Sequence, residues 1–547
     1  MRVHARRRAA QQSTRGHLRE RVSRRTFLAR SGALAVGAMT APGFLRASTA
    51  LAASSPAARP NYSAGLTVAL GAPVTSLDPA VPTSTLAETV KRSMYEGLVD
   101  LDAQGRLGPG LATRWTVSPD GTAWTFSLRP RITFHDGTRF DAPAVKATLD
   151  RLRDPKQALP SGYLFDMIES VDVVDPLTAR IRTKTPFGAM LPHLASEAAL
   201  MISPAALDKY GKDIARHPVG TGPYKFASQI PGQSVTVTRF DQYWARRPYL
   251  GSVTFTAVSE DATRVAQLET NQAQVIVNVP PSQIERLRSR PNIAVAIGDG
   301  NRVAHIGINV QKDPLTDRRL RQALNYAVDR RGLVDGLLNG LGTPSDSFVA
   351  PITWGYAAQP VYTYDVAKAK QLLAQAGYPN GFHTTIYTPQ GRYPQDKETA
   401  VAVQAQFVQI GVQAQVQVIE WARYLDLLRK PVDQNDVHLY LLAWESGTGE
   451  IGYVADLVFQ STEWPPKGWN TMFYKNPQVD ALITKADGTV DQATRKQLYA
   501  EAQRLVVNDA PWVFLFTYKQ VLGLRSNVHD LIALPSEAFD LRRTWIG

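Results

Sequence analysis

The chain is 547 residues long, with 44% hydrophobic and 20% charged residues, a composition typical of a globular protein with two or more domains. Stable membrane insertion is not expected, because no apolar run approaches the ~20 residues of a membrane span. The net charge of +13 is local: residues 1–52 hold eleven arginines and one glutamate, leaving 50 basic and 47 acidic residues beyond. That near balance excludes an extended phosphate-binding face, so nucleic acid is not an expected partner.

The N-terminal segment has the pattern of an export signal. It contains "SRRTFLAR" with the paired Arg24 and Arg25, then a mildly apolar stretch, then the small-residue sequence "ALAA". This order resembles a twin-arginine signal peptide, so residues 1–53 are predicted to be removed, with residues 54–65 as a flexible lead-in. The chain has no cysteine, which excludes disulfides, thiolate nucleophiles and a cysteine-attached lipid anchor. We therefore expect an unanchored periplasmic protein.

The first half of the chain is predicted to be rich in strands from Leu66 onward. "AWTFSLRPRITFHDGT" is typical of two strands around Pro130, closed by a turn at Asp136 and Gly137. His135 in this stretch is interpreted as a hydrogen-bonded corner of a hairpin, not as a metal ligand or a base.

The second half shows helices with clear ends. Asp317 is a predicted N-cap, Asp365 is another, and Gly377 is a predicted helix stop. Between "FHTTIYTP" and "DVHLYLLAW" the pattern alternates between strand and helix. This alternation predicts an α/β lobe with a mixed or parallel sheet.

Catalytic motifs are missing from the sequence. It contains no H-E-x-x-H, G-x-S-x-G or S-x-x-K pattern, and the G-x-G of "HPVGTGPYKF" is followed by proline where a phosphate loop needs a helix. We expect neither an enzyme nor a bound cofactor or metal. A catalytic triad built from distant residues stays open, because such sites are recognised by geometry.

Several segments together resemble a known family. They are Tyr95 to Phe140, "HPVGTGPYKF", "HIGINVQKDPLTDRRLRQALNYAVDRRGLVDGLLNGLGTP", "YDVAKAKQLLAQAGYPNGF" and "RKQLYAEAQRLVVNDAPWVFLF". They are similar to the peptide- and nickel-binding class (family 5) of solute-binding proteins that feed ABC importers. In that family, the two glycines of "HPVGTGPYKF" would give a tight turn near the lobe junction its backbone freedom.

The resemblance implies an α/β fold of two lobes, the type II, cluster C form of periplasmic binding proteins. Lobe I would comprise residues 66–305, with an extra subdomain at about 85–215, and lobe II residues 306–511. Residues 512–547 would return to lobe I. Two crossing hinge strands are expected near "HIGINV" and "PWVFLF".

The segment from Ala443 to Tyr474 looks most like the glutathione-binding branch, which has a similar S-T-G-E and W-P-P pattern. The dipeptide-binding branch has an aspartate that pairs with the ligand ammonium, and Gly447 stands in its place here. The resemblance thus implies a binding site with these candidates: a buried Arg392 for a carboxylate, Trp421 and Trp444 for packing, Glu445 or Glu450 for an amine, and Asn470 for an amide contact.

The function implied is capture of a peptide-like solute, such as a dipeptide, an oligopeptide or a glutathione-like molecule, for delivery to an ABC permease. The protein is expected to act as a monomer. Within the same fold, opines, sugars and metal chelates stay open as ligands, and an enzyme exported by the twin-arginine pathway is the alternative from another class.

Overall fold

The computed structural model describes residues 59–81, 85–360 and 362–547. The predicted export peptide, residues 1–53, and the first five residues of the predicted lead-in lie outside the described residues. The strands within the described ranges are, in chain order, β1 Gly65–Leu70, β2 Val99–Leu101, β3 Leu107–Pro109, β4 Ala112–Val117, β5 Ala123–Leu128, β6 Ile168–Asp175, β7 Thr178–Thr183, β8 Tyr224–Ile230, β9 Ser234–Arg239, β10 Ser252–Ala257, β11 Val275–Val277, β12 Ile293–Ile308, β13 Gly342–Pro344, β14 His383–Thr388, β15 Gln413–Val418, β16 Leu439–Trp444, β17 Trp512–Arg525, β18 Val528–His529, β19 Ile532–Ala533, β20 Phe539–Asp540 and β21 Trp545–Ile546.

The helices begin and end where local side-chain chemistry allows. Asp317 accepts a hydrogen bond from the N–H of Arg319, and Asp365 accepts one from Lys368, which confirms both predicted N-caps. Gly377 follows its helix with φ +88°, as the predicted stop requires. The α-helices in the described ranges are α1 Thr85–Met94, α2 Ala142–Arg153, α3 Met190–Ala195, α4 Pro204–Tyr210, α5 Asp261–Glu269, α6 Ile284–Arg288, α7 Arg318–Tyr326, α8 Arg330–Leu337, α9 Val366–Gln375, α10 Asp396–Val408, α11 Trp421–Leu428, α12 Ile451–Val454, α13 Pro477–Asp487 and α14 Gln492–Asp509.

One mixed sheet runs through the molecule in the order β15-β14-β16-β12-β17-β11-β1-β10-β9-β8, with β13 added beside β17. Its two central strands, β12 and β17, are antiparallel partners along most of their length. The end of β12 also pairs with β16, whereas the end of β17 pairs with β11. These two strands therefore cross from one lobe to the other. The first lobe contains β1 and β8 to β11, and the second contains β14 to β16.

Separate hydrophobic cores correspond to these parts. The first lobe buries the apolar residues of β1, α1, β10 and the C-terminal segment. A second core, formed by residues between 98 and 201 together with Ala80, lies around the sheet β4-β5-β7-β6 and helix α2. The second lobe buries the apolar faces of α7 to α11, α13 and α14 against its sheet. We place the extra subdomain on the middle core, so that α1 belongs to the main body of the first lobe.

Two local predictions are wrong. The second strand expected after Pro130 is reduced to a single bridge between Thr133 and Arg139, because the chain turns at once. The glycines Gly220 and Gly222 are not in the left-handed region that would demand backbone freedom. They are glycines because a Cβ at either position would overlap the backbone of Met94 at the end of α1.

His135 holds the same segment in place, as its interpretation as a structural corner suggests. Its Nε2 lies 3.0 Å from the carbonyl oxygen of Gly222, and its ring packs edge-on against Phe240. Burial lowers the pKa of His135 to about 4, so the ring is neutral at pH 7.

Candidate ligand-binding site

The boundary between the lobes lies at a break in the pairing of the crossing strands. β12 pairs with β17 up to Asp299 and again from Val303, with a change of register between them and a second one after Ala304. Within the break, the N–H of Asn301 donates to the carbonyl of Pro535, which belongs to the C-terminal return to the first lobe, at 3.2 Å. The side chain of Asn301 donates to the carbonyl of Ser446 in the second lobe at 3.0 Å. This short stretch therefore contacts both lobes.

Arg302 is the charged centre of this boundary. It is buried, and its Nη2 donates to Glu445 Oε2 at 2.8 Å, to Glu537 Oε2 at 3.1 Å and to Thr85 Oγ1 at 3.3 Å. Glu445 belongs to the second lobe, whereas Glu537 and Thr85 belong to the first. We call these four residues the Arg302 cluster. It joins the lobes through one guanidinium nitrogen.

Glu445 owes its position to the strand register. Val303 and Trp444 are opposite each other in antiparallel strands. The residue before Val303, Arg302, therefore lies beside the residue after Trp444, Glu445. Burial raises the pKa of Glu445 to about 7; Arg302 opposes that rise, whereas the nearby Glu537 adds to it. The two carboxylates, 20% and 23% exposed, share the buried Arg302, so the cluster holds more negative than positive charge when both are ionised.

An aromatic wall lies beside the cluster. The guanidinium of Arg392 lies 4.8 Å from the ring centre of Tyr393 and 5.2 Å from that of Trp421. The carboxylate of Asp396 holds the loop by accepting the N–H groups of Arg392 and Tyr393. Arg392 is exposed, which corrects the expectation that it is buried. Among the described residues no carboxylate pairs with its guanidinium.

Trp444 contributes a further aromatic surface. It is half-buried and packs edge-on against Trp469, with ring centres 5.7 Å apart. The guanidinium of Arg429 lies 4.7 Å from the ring centre of Trp469. Tyr393 links the two aromatic surfaces, because its ring packs against Trp421 and its hydroxyl donates to the carbonyl of Ala443, the residue before Trp444.

Gly447 lies exposed in the loop after β16, next to an aromatic pair that joins the lobes. A Cβ at this position would lie 3.3 Å from the ring of Tyr453. Tyr163, from the subdomain of the first lobe, is close enough to Tyr453 to add to the rise that burial causes in the pKa of the Tyr453 hydroxyl. The space beside Gly447 is therefore bordered by Tyr453 instead of an acid.

Two of the predicted site residues have protein partners for their polar atoms. Glu450 is buried and forms a two-pronged ion pair with Arg495, with distances of 2.8 and 3.0 Å. Asn470 is also buried; its amide donates to the carbonyls of Gln460 and Tyr474 and accepts the N–H of Tyr474. Both side chains fix loops of the second lobe, so neither is free to contact a ligand.

The lobes also contact each other at the far side of the subdomain. The N–H of Gly188 donates to the carbonyl of Asp487 at 2.6 Å. A Cβ at Gly188 would overlap the carbonyl oxygen of Thr489 and the side chain of Arg495. Only glycine permits this close approach of the subdomain to the second lobe.

Sequence reasoning missed the residues that complete the cluster. Arg302 lies only three residues before the predicted hinge segment "HIGINV", and a charged residue so close to a buried strand was a usable signal. Glu537 has no such signal, since it reaches Arg302 across 235 positions of sequence.

Most of the chain matches the model of one protein family. Residues 106–466 match the family described as bacterial extracellular solute-binding proteins, family 5. The chain belongs to this family of solute-binding proteins.

Relatives and solved structures agree with that membership. The glutathione-binding protein GsiB of Pectobacterium atrosepticum is 38% identical over 475 residues, which are 86% of this chain and 92% of that protein. The periplasmic binding protein DppA of Helicobacter pylori, solved with the peptide STSA, superposes with a TM-score of 0.77 at 27% identity, covering 89% of this chain and 98% of that chain. AgaA of A. tumefaciens R10, solved with agropinic acid, gives 0.75 at 27% identity, covering 88% and 99%. The two-lobe α/β fold expected from the sequence is confirmed.

This solute-binding protein also has a small cavity of about 60 Å³ inside the first lobe, whose lining includes Thr89 and Phe539 but no residue of the Arg302 cluster. Glu96 in its lining accepts hydrogen bonds from Thr221, Tyr243 and Trp244 at 2.7 to 2.8 Å. Because these donors already satisfy Glu96, its carboxylate needs no ligand in the cavity.

Neither a metal-binding cluster nor a membrane-spanning helix occurs in the described part of the chain. No group of three or more histidine, cysteine, aspartate or glutamate side chains there could hold a metal ion. None of the helices in the same ranges combines the length and apolar character that crossing a membrane requires.

Proposed function

We propose that this solute-binding protein captures a peptide-like molecule of the glutathione type and delivers it to an ABC permease. The observation that carries the proposal is the pair of opposite charges at the lobe boundary. Glu445 provides a half-buried carboxylate, and Arg392 provides a guanidinium that forms no ion pair with a carboxylate among the described residues. A ligand with both an ammonium and a carboxylate group complements these two side chains.

The aromatic residues provide the apolar contacts that such a ligand needs. Trp421 and Tyr393 border Arg392, and Trp444 lies next to Glu445 in sequence and space. Aromatic walls with a few well-placed polar groups are the usual lining of a small-molecule site. The names of the relatives support the same ligand class, since GsiB binds glutathione and DppA was solved with a peptide.

Binding would work through closure of the lobes without any covalent step. A ligand that contacts both lobes stabilises the closed form, and the permease recognises that form. Closure also removes water from around the charged groups, which strengthens their attraction. We propose that the protein delivers its ligand as a monomer.

Calorimetry with four ligands tests the proposal. Glutathione, a dialanine peptide, an opine and an uncharged sugar are titrated separately into the purified protein. We expect glutathione to bind most tightly and the sugar not to bind. Tight binding of the sugar would overturn the peptide assignment, and preferential binding of the opine would favour the ligand class of AgaA.

We further propose that the protein reaches the periplasm by the twin-arginine pathway. The support is the motif around Arg24 and Arg25, which lies outside the described residues. Replacing both arginines by lysine should leave the precursor in the cytoplasm, as fractionation and immunoblotting would reveal. Unchanged export of this variant would refute the route without affecting the ligand proposal.

A further inference from the structure

The hydrogen bonding of the Arg302 cluster is incomplete. Nε of Arg302 lacks an acceptor, and the carboxylates of Glu445 and Glu537 share a single donor, Nη2 of Arg302. All three hydrogen bonds of the guanidinium leave from Nη2, which has only two hydrogens. In the described part of the chain, Nε of Arg302 is buried and has no hydrogen-bond partner. An unpartnered buried donor costs free energy unless a further group accepts from it.

Glu537 reaches the cluster in an unusual backbone conformation. Its φ of +66° lies in the left-handed region, which side-chain-bearing residues rarely adopt. That conformation directs its carboxylate toward Thr85 Oγ1, at 2.8 Å, and Arg302. Strained residues of this kind persist where the surrounding structure requires them and are concentrated at ligand sites.

The two carboxylates come from opposite lobes. Glu445 and Glu537 both accept from Nη2 of Arg302, and their side chains stay 20% and 23% exposed, which leaves carboxylate surface for a second, small cationic group that contacts both. An ammonium group has three donors in a compact tetrahedron, whereas Nη2 supplies two in a plane. The free Nε of the same guanidinium, next to these carboxylates, needs an acceptor such as a carboxylate.

We propose that the Arg302 cluster recognises an α-amino acid head group, with the ligand ammonium held by Glu445 and Glu537 and its carboxylate held by Arg302. This inference rests on the proposed function and specifies which peptides it covers. In an α-amino acid both charged groups are bonded to one carbon, within about 3 Å of each other, whereas the termini of a dipeptide are about 6 Å apart. A γ-linked peptide keeps this head group free, and an α-linked peptide does not.

In this arrangement Arg392 and Arg302 would bind different carboxylates of the ligand. Its guanidinium lies over Tyr393 and Trp421 at the edge of the site, where it would hold the second carboxylate at the far end of the ligand. The cluster selects the head group, and Arg392 adds affinity for the tail.

A pair of isomers provides the test. γ-Glu-Cys-Gly (glutathione) and α-Glu-Cys-Gly have the same atoms, charged groups and net charge, and differ in whether one carbon bears both head-group charges. Calorimetry should give at least about tenfold tighter binding of the γ isomer to the wild-type protein. N-acetylated glutathione, which lacks the ammonium, should bind at least about tenfold more weakly than glutathione.

The variant Glu537→Gln tests the residue from the first lobe. It should weaken glutathione binding about tenfold or more and leave the weak binding of N-acetylated glutathione unchanged. Glu501→Gln, which alters an exposed acid paired with Arg504, is the matched control and should bind like wild type. If Glu537→Gln fails to fold, as judged by circular dichroism, Thr85→Val replaces it, because this change removes the hydroxyl that contacts Glu537 and Arg302 but keeps both of their charges.

The outcomes separate the two proposals. Equal affinity for both isomers, or equal loss of both glutathione forms in Glu537→Gln, would overturn the head-group inference while the peptide assignment stands. Absence of binding for both isomers would overturn the proposed function itself.

Discussion

His305 lies flat against Trp512, with ring centres 3.4 Å apart and ring planes 4° apart. The two residues belong to the two crossing strands, and both are fully buried. Burial lowers the pKa of His305 to about 3, although its contact with the carbonyl of Val303 acts in the opposite direction. The stack therefore holds a neutral imidazole at pH 7 where the crossing strands lie against the core of the second lobe.

Acid should destabilise the protein through this histidine. The folded pKa lies below the value of about 6.5 in the unfolded chain, so the unfolded state binds a proton first. The contribution of neutral His305 to the free energy of unfolding is fully present above pH 6.5 and is lost as the pH falls toward 3. The free energy of unfolding, measured by urea denaturation, should fall between pH 7 and pH 4 in both proteins. The fall should be roughly 1–3 kcal/mol smaller in His305→Phe than in wild type.

The exposed His217 provides the control for that measurement. His217→Phe should show the same acid-dependent loss as wild type. An equal loss in wild type and His305→Phe would assign the acid sensitivity to other groups.

Gly188→Ala should block close approach of the lobes without unfolding either. The added methyl group would overlap the carbonyl of Thr489, but the subdomain and the second lobe retain their own cores. Glutathione affinity should fall about tenfold or more, and small-angle scattering should show a smaller ligand-induced decrease in radius of gyration. Gly336→Ala, at a helical glycine with open space around it, should behave like wild type in both measurements.

Glu450→Gln should affect stability more than binding. It leaves the buried guanidinium of Arg495 without its ionised partner, a change that typically costs about 3–5 kcal/mol. Thermal denaturation should register the loss, whereas the affinity of the folded protein for glutathione should change less than about threefold. A large loss of affinity with unchanged melting temperature would return Glu450 to the ligand site.

Arg392→Ala should weaken glutathione binding about tenfold, because an exposed charge is partly screened by water. Arg392→Lys should recover little, since a lysine cannot stack its charge between Tyr393 and Trp421 in the same way. Calorimetry of both variants measures the effect. Unchanged affinity in Arg392→Ala would remove this residue from the site.

Local rules predicted much of the fold from the sequence. The caps at Asp317 and Asp365 depend on side chains within three residues of the helix start, so they could be recognised without tertiary information. The strands and helices between β14 and β16 follow from their hydrophobic periodicity for the same reason. The lobes and the crossing strands were inferred from the resemblance to a family.

The site could be predicted only in part, because its contacts are long-range. Glu445 and Glu450 lie five residues apart after β16. The neighbouring sequence does not indicate which of the two side chains faces the ligand. The choice depends on Arg495, which is 45 positions beyond Glu450 and occupies its carboxylate. Glu537 joins the cluster only through the return of the C-terminus to the first lobe.

The position of β17 has a consequence for how the chain folds during synthesis. This strand lies between β12 and β11 in the middle of the sheet, yet it is formed by residues 512–525 of 547. Neither lobe can complete its sheet before β17 has left the ribosome. Until translation is nearly finished, β12 and β11 therefore lack their central pairing partner. A premature stop codon before Trp512 would therefore leave two incomplete lobes and not one intact lobe.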